Sequence, residues 1–188
     1  LAAQIGCATT SMGSVPEVET VQASPSFSVT DSTFVNDAPT QMGLDFGKFK
    51  GVMKRYRTNT QKPSGPIPMA QVSREDLAEL PAKDLRMTWV GHSTLLLEFD
   101  GFRVLTDPVW SDRVSPFPSI GPKRFHKPAI ALEDLPRIDA VIISHDHYDH
   151  LDHETVKQLA WRNVRFFVPL GVGAHLSKWG VRNYVELD

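Results

Sequence analysis

The sequence predicts an α/β domain built on a mixed β-sheet, and three observations carry that expectation. Asp100-Gly101 stands between two runs of strand-forming residues and is the two-residue signal for a type I′ hairpin, so the sheet opens antiparallel. Ala140-Val141-Ile142-Ile143 is an apolar, largely β-branched run, the mark of a buried strand. From there to the end of the 188 residues strand-like and helix-like segments alternate, which implies parallel pairing and a layered core.

Each element follows in turn. Residues 87–90 and 94–99 read as strands, and the Asp-Gly turn leads into a third at 102–105. Residues 108–128 carry Pro108, Pro116, Pro118, Pro122 and Pro128, so this stretch must be a long loop, and long ordered loops are commonly functional. Its Lys123-Arg124 pair could face a phosphate. Beyond the buried strand, Asp152 can cap a helix running to about residue 161. A strand at 164–168, a short helix over 172–179 and a last strand at 183–187 complete the pattern.

The chain ahead of residue 86 is of another kind. Residues 9–40 are rich in Ser, Thr, Pro and Val without a sustained period, as expected of a tether that cannot bury enough apolar surface to order itself. Residues 1–47 hold Glu17, Glu19, Asp31, Asp37 and Asp45 with no Lys or Arg, a net charge of -5, which leaves 20 bases against 17 acids in the rest. Residues 48–62 hold Lys48, Lys50, Lys54, Arg55, Arg57 and Lys62 without an acid, a surface segment that could meet anionic headgroups or phosphate. Ser73-Arg74-Glu75-Asp76 followed by Leu77 and Leu80 looks like a capped helix start, which Pro81 limits to a turn or two. The expected organisation is an acidic flexible tether at 1–47, a basic segment with a short helix at 48–85, and a folded domain from 86 to 188.

Composition bounds the function. With 41% hydrophobic and 22% charged residues the chain has the makeup of an ordinary folded domain, and no run approaches the roughly 18 apolar residues of a transmembrane helix. A formal net charge of -2 gives no footprint of general nucleic-acid binding. The single cysteine, Cys7, can form neither an internal disulfide nor a thiolate zinc knuckle, so any metal is held by nitrogen and oxygen.

The chemistry concentrates after the buried strand, in Ser144-His145-Asp146-His147-Tyr148-Asp149-His150-Leu151-Asp152. Four of the seven histidines fall between His145 and His153. His145 and His147 are two apart, so at an extended strand end both imidazoles project to one side and can grip one metal ion. Asp149 and His150 follow where the chain turns toward the helix and can supply a carboxylate and a third imidazole to an adjacent ion. A solvated His-rich turn is the bland alternative, but a chance match to His-x-His-x-Asp-His is expected on the order of once in ten thousand such chains. Zinc suits this donor set, and iron or manganese accept similar ligands.

His-x-His-x-Asp-His after a buried strand resembles the second motif of the metallo-β-lactamase fold superfamily. Trp89-Val90-Gly91-His92-Ser93-Thr94, Leu105-Thr106-Asp107-Pro108, Gly121-Pro122-Lys123-Arg124-Phe125, Leu135-Pro136-Arg137-Ile138-Asp139-Ala140-Val141 and Val168-Pro169-Leu170-Gly171 further resemble its N-acyl-phosphatidylethanolamine-hydrolysing phospholipase D branch. The resemblance implies an αββα sandwich of which this chain is about the amino-terminal half, since a further histidine, a bridging aspartate and a last histidine are expected downstream. It implies two zinc ions, the first on His145 and His147 and the second on Asp149 and His150. Asp107 would sit behind the ligands and orient a histidine by accepting its other N–H. His92 is assigned to the same supporting role, and Tyr148, Lys123 and Arg124 are candidate substrate contacts. Asp149 would orient the attacking water and shuttle its proton. The implied activity is hydrolysis of N-acyl-phosphatidylethanolamine-like lipids, with peripheral membrane contact. Alternatives are a lactonase or phosphodiesterase for a small soluble substrate, a redox role on iron, and a non-catalytic metal-binding envelope protein.

The opening Leu1-Ala2-Ala3-Gln4-Ile5-Gly6-Cys7 resembles the end of a bacterial lipoprotein signal, in which Cys7 would carry the lipid. That resemblance implies the bacterial cell envelope, and without it the expectation is the cytoplasm.

Overall fold

The structure is a computed structural model that describes residues 11–35, 50–51, 54, 63–117, 119 and 121–188. Cys7 and most of the basic stretch 48–62 lie outside the described residues.

A six-stranded sheet organises the chain: β3 (Arg86–Gly91), β4 (Thr94–Phe99), β5 (Phe102–Thr106), β6 (Ala140–Ile142), β7 (Arg165–Pro169) and β8 (Tyr184–Leu187), side by side in that order. β3, β4 and β5 form an antiparallel meander and β5 through β8 pair in parallel, so the sheet is mixed as the sequence predicts. Asp100 and Gly101 both take positive φ, 49° and 84°, the type I′ requirement that the Asp-Gly pair meets at low cost. Among the described residues two strands precede this sheet, β1 (Phe27–Ser28) and β2 (Thr33–Phe34), and a short helix, α1 (Val18–Gln22), lies before them.

Helices α2 (His153–Ala160) and α3 (Gly173–Lys178) and a single 3-10 turn (Leu132–Asp134) pack over one face of the sheet. There Val90, Leu96, Leu105, Val141, Phe166 and Val168 meet Leu132, Val156, Leu159 and Leu176 in one core. Each fully buried Leu, Val or Phe of this set contributes about 1.5–3 kcal/mol relative to an exposed one. The opposite face carries Met87, Trp89, Phe102, Ile142 and Leu187, all more than two-fifths exposed. Ile142 thus lies exposed among the described residues although its apolar run reads as a buried strand. Helices cover one face of β6 only, so alternate residues of the apolar run face outward.

Two further readings need correction. Residues 73–80 form turns rather than a short helix: Ser73 N donates to Asp76 Oδ2 (2.8 Å) and Asp76 N to Ser73 Oγ (3.2 Å), the reciprocal pairing of a helix cap with no helix behind it. And the tether reading does not hold for residues 11–35. Val21 and Ser24 are buried, Ser24 Oγ donates to Asp188 Oδ1 (3.0 Å), and Pro16 and Val21 pack against Gly171. Tertiary contacts supply the order that composition alone withholds.

Beneath the meander, Glu98 is fully buried between two arginines. Arg86 grips it through Nε (2.6 Å) and Nη2 (2.8 Å), and Arg103 Nε donates to Oε1 (2.9 Å). The same guanidinium groups donate onward to the carbonyls of Asp76, Glu79 and Leu77, which staples residues 76–79 to the sheet. Burial by itself would raise the Glu98 carboxyl, but the hydrogen bonds and charges of Arg86 and Arg103 hold it below the ordinary carboxylate value.

Candidate metal centre

Topology brings three separate sequence segments to one end of the sheet. β5 and β6 run parallel, so Asp107 after β5 and Ser144 after β6 emerge side by side. β4 runs against β5, with Leu95 opposite Thr106, so the His92-Ser93 turn before β4 reaches the same end. This is the carboxyl end of the parallel strands, where open α/β sheets place their ligands.

Two of these residues have left-handed backbones, His92 at φ 50° and Asp107 at φ 39°, an uncommon conformation outside glycine that clusters at functional sites. The surroundings hold each one. Trp89 Nε1 donates to His92 O (2.8 Å), Thr94 Oγ1 donates to Asp107 O (2.7 Å), and Asp107 N donates to Ile142 O (2.9 Å).

The buried Asp107 carboxylate accepts Ser144 N (2.7 Å) at Oδ1, and Ser144 Oγ (2.8 Å) and His150 Nδ1 (2.9 Å) at Oδ2. A carboxylate at Nδ1 assigns the proton there and leaves Nε2 of His150 as a free ligand nitrogen. Asp149 Oδ2 lies 3.8 Å from that nitrogen and 3.0 Å from Nε2 of His92. Ligand atoms of His92, Asp149 and His150 all fall within 4.8 Å of one another, close enough to share one ion. Two imidazole nitrogens and a carboxylate oxygen suit zinc, iron or manganese alike. Burial pushes the Asp149 carboxyl up, but its own backbone N–H, His150 and His92 outweigh this and hold it below the usual value.

The predicted residues divide accordingly. Asp149 and His150 stand in the group, and Asp107 stands behind it on His150 Nδ1. His92, expected to support, instead offers a ligand atom. His145 and His147 lie alongside but outside this close group. Their rings are 4.6 Å apart edge to face, and the His145 ring is 3.9 Å from that of His150. His153 is elsewhere, its ring edge-on against Trp179 at 4.9 Å.

Beside the group opens a groove of about 570 Å³, lined by Asp146, His147, Tyr148 and Asp149 on one side and His175 and Trp179 on the other. Tyr148 lines it as expected. Lys123 is exposed on the neighbouring loop, whereas Arg124 is turned to the loop's own backbone. Its Nε donates to Ser111 O (3.1 Å) and its Nη2 to Val109 O, so the half-buried guanidinium is a strut of the loop. Asp152 is a second strut that the sequence misassigns. Its side chain does not cap the backbone of α2 but accepts Trp110 N (3.2 Å), Ser111 N (3.0 Å), Ser111 Oγ (2.8 Å) and Thr155 Oγ1 (2.5 Å), pinning the loop against the helix. No local signal in the sequence points to those partners.

An Asp107→Asn exchange tests the supporting role. The amide places donors opposite His150 Nδ1, driving the ring proton to Nε2 and removing the ligand lone pair. Zinc affinity measured by titration calorimetry is expected to fall by about 10–100-fold. An unchanged affinity in a folded variant would overturn the tautomer argument.

Residues 102–188 match the beta-lactamase superfamily domain. The match spans 87 of the 188 residues, just under half of the chain. The superfamily domain so matched begins at β5 and contains Asp107 and the whole of 145–150, while His92 enters from the strand pair ahead of it. An uncharacterized protein of Mycobacterium tuberculosis is 49% identical over 166 residues, 84% of this chain and 43% of that protein. The N-acyl-phosphatidylethanolamine-hydrolyzing phospholipase D 1 of Caenorhabditis elegans is 43% identical over 115 residues, 60% of this chain and 31% of that protein. The crystal structure of CmlA, a diiron beta-hydroxylase from Streptomyces venezuelae, aligns with a TM-score of 0.42 at 33% identity, over 57% of this chain and 21% of that one. The chain thus spans less than half the length of these relatives.

Proposed function

We propose that the protein is a metal-dependent hydrolase of phosphodiesters, of phospholipase D type, acting on N-acyl-phosphatidylethanolamine-like lipids. The observation that carries the reading is the His92, Asp149 and His150 group with Asp107 fixing the His150 ring from behind. The similarity to the nematode phospholipase D supports the substrate class. His92, Asp149 and His150 would hold one zinc ion, and His145 and His147 would complete a second site beside it. Bound there, the metal supplies Lewis acidity and a water of lowered pKa. Asp149, kept ionised by its neighbours, accepts a proton from the reacting water, and the groove beside Tyr148 and His147 seats the ester. Attachment to the cell envelope through a lipid on Cys7 is part of the same proposal.

A metal-loaded preparation is expected to hydrolyse bis(4-nitrophenyl) phosphate and N-acyl-phosphatidylethanolamine in detergent micelles, and a chelator should abolish both activities. Elemental analysis decides the metal. Iron with a visible absorption band and no esterase activity would favour a second reading, hydroxylation, which the 30% identity over 166 residues to a peptidyl-carrier-protein 3-hydroxylase of Streptomyces venezuelae brings forward.

A further inference from the structure

Residues 11–14 run beside the groove with Gly13 in its lining, and three hydrogen bonds hold them there. Ser11 Oγ donates to Pro116 O (2.7 Å) on the 108–128 loop. Three residues on, Ser14 N donates to His175 Nδ1 (2.8 Å) on α3, and Lys178 Nζ donates to Gly13 O (3.0 Å). Three residue steps reach at most about 11 Å, so this strap runs by a nearly direct path from the 108–128 loop to α3. His175 in turn meets the motif turn: accepting at Nδ1, it carries its proton at Nε2, which faces Asp146 Oδ2 at 3.5 Å.

Gly13 is itself part of the groove lining, together with His147, Tyr148 and Asp149. A Cβ at this position would sit 1.7 Å from His175 Nδ1, so only glycine lets the backbone come this close to the ring. The strap therefore sets how wide the groove is, and one ring and one missing side chain set where the strap lies.

We propose that Gly13 and Ser14, clasped by His175, form the wall that limits the size of the ester admitted beside Asp149. This rests on the hydrolase reading above and adds the residues that select by size. The strap presents only backbone to the groove, so it discriminates by shape and leaves the charged groups at the metal centre untouched. Displacing it should leave metal binding intact and widen the range of substrates.

The test uses Gly13→Ala, which pushes the strap off the ring, and Ser14→Pro, which removes the donated N–H. Two readings are taken on each variant and the parent: hydrogen exchange of residues 11–16 by mass spectrometry, and the ratio of kcat/KM for N-acyl-phosphatidylethanolamine micelles to that for bis(4-nitrophenyl) phosphate. Exchange at 11–16 should rise at least tenfold with β4 unchanged, and the ratio should move at least fivefold toward the bulky ester. Faster exchange with a ratio within twofold of the parent would overturn the wall while leaving the hydrolase reading standing. Unprotected exchange at 11–16 in the parent would overturn the clasp itself. A metal-loaded parent that turns over neither ester would overturn the hydrolase reading and the size-selecting role with it, whatever the exchange shows.

Discussion

Asp149→Ala is expected to lower phosphodiester hydrolysis by on the order of 10²–10⁴-fold, the range lost when a positioned proton acceptor is removed. The carboxylate stands at the junction of the group, 3.0 Å from His92 and 3.8 Å from the ligand nitrogen of His150, so its loss removes both a metal donor and the acceptor. Its side chain is more than a third exposed, so the fold should survive. Steady-state kinetics together with metal content per chain check the result. Activity equal to the parent in a metal-loaded variant would remove Asp149 from the mechanism.

Glu98→Ala should cost the fold about 3–5 kcal/mol, because it leaves buried guanidinium charge without its partner. The lower end applies, since the Arg86 side chain is a third exposed and can find water, while Arg103 at 11% cannot. The residues stapled through the arginines, 76–79, should loosen together with the meander. In a chain of this size a 3 kcal/mol loss lowers Tm by roughly 6–12 °C. The sign of the pH dependence follows from the depressed folded pKa. The stabilisation is complete above the carboxyl's ordinary value and disappears as pH falls through the lower folded value. The difference in stability between parent and Glu98→Ala should therefore shrink on acidification. A difference that stays constant from neutral pH down to about 3 would contradict the ion-pair account.

Local features were legible from sequence, and distant ones were not. The Asp100-Gly101 turn, the strand-forming run at 94–99 and the spacing from His145 to His150 each encode their structure within a few residues. Asp107 was placed by its motif, but its three hydrogen bonds depend on β5 and β6 lying in parallel register. His92 reaches Asp149 across 57 residues, and only the return of β4 along β5 brings it there. Ile142 belongs to an apolar run that reads as a buried strand, yet among the described residues it is exposed on the face away from the helices. Asp152 illustrates the same limit: an aspartate before a helix suggests a cap, yet the backbone N–H groups of Trp110 and Ser111 claim its oxygens. The composition of residues 9–40 suggests a tether, yet the described part at 11–35 is anchored to residues more than a hundred positions away.

The spatial order of the main sheet repeats the chain order from β3 to β8. Every strand thus finds its neighbour next in line, and the entropy spent closing each intervening loop stays small. Such a sheet can grow in the direction of synthesis, from the local β3–β5 meander outward. The metal group is complete once β6 and the turn after it have docked on β5, before β7 and β8 are in place. The strap follows the opposite timetable. Its bonds to α3 span 161 and 165 residues, so the first described segment to leave the ribosome is among the last to find its place.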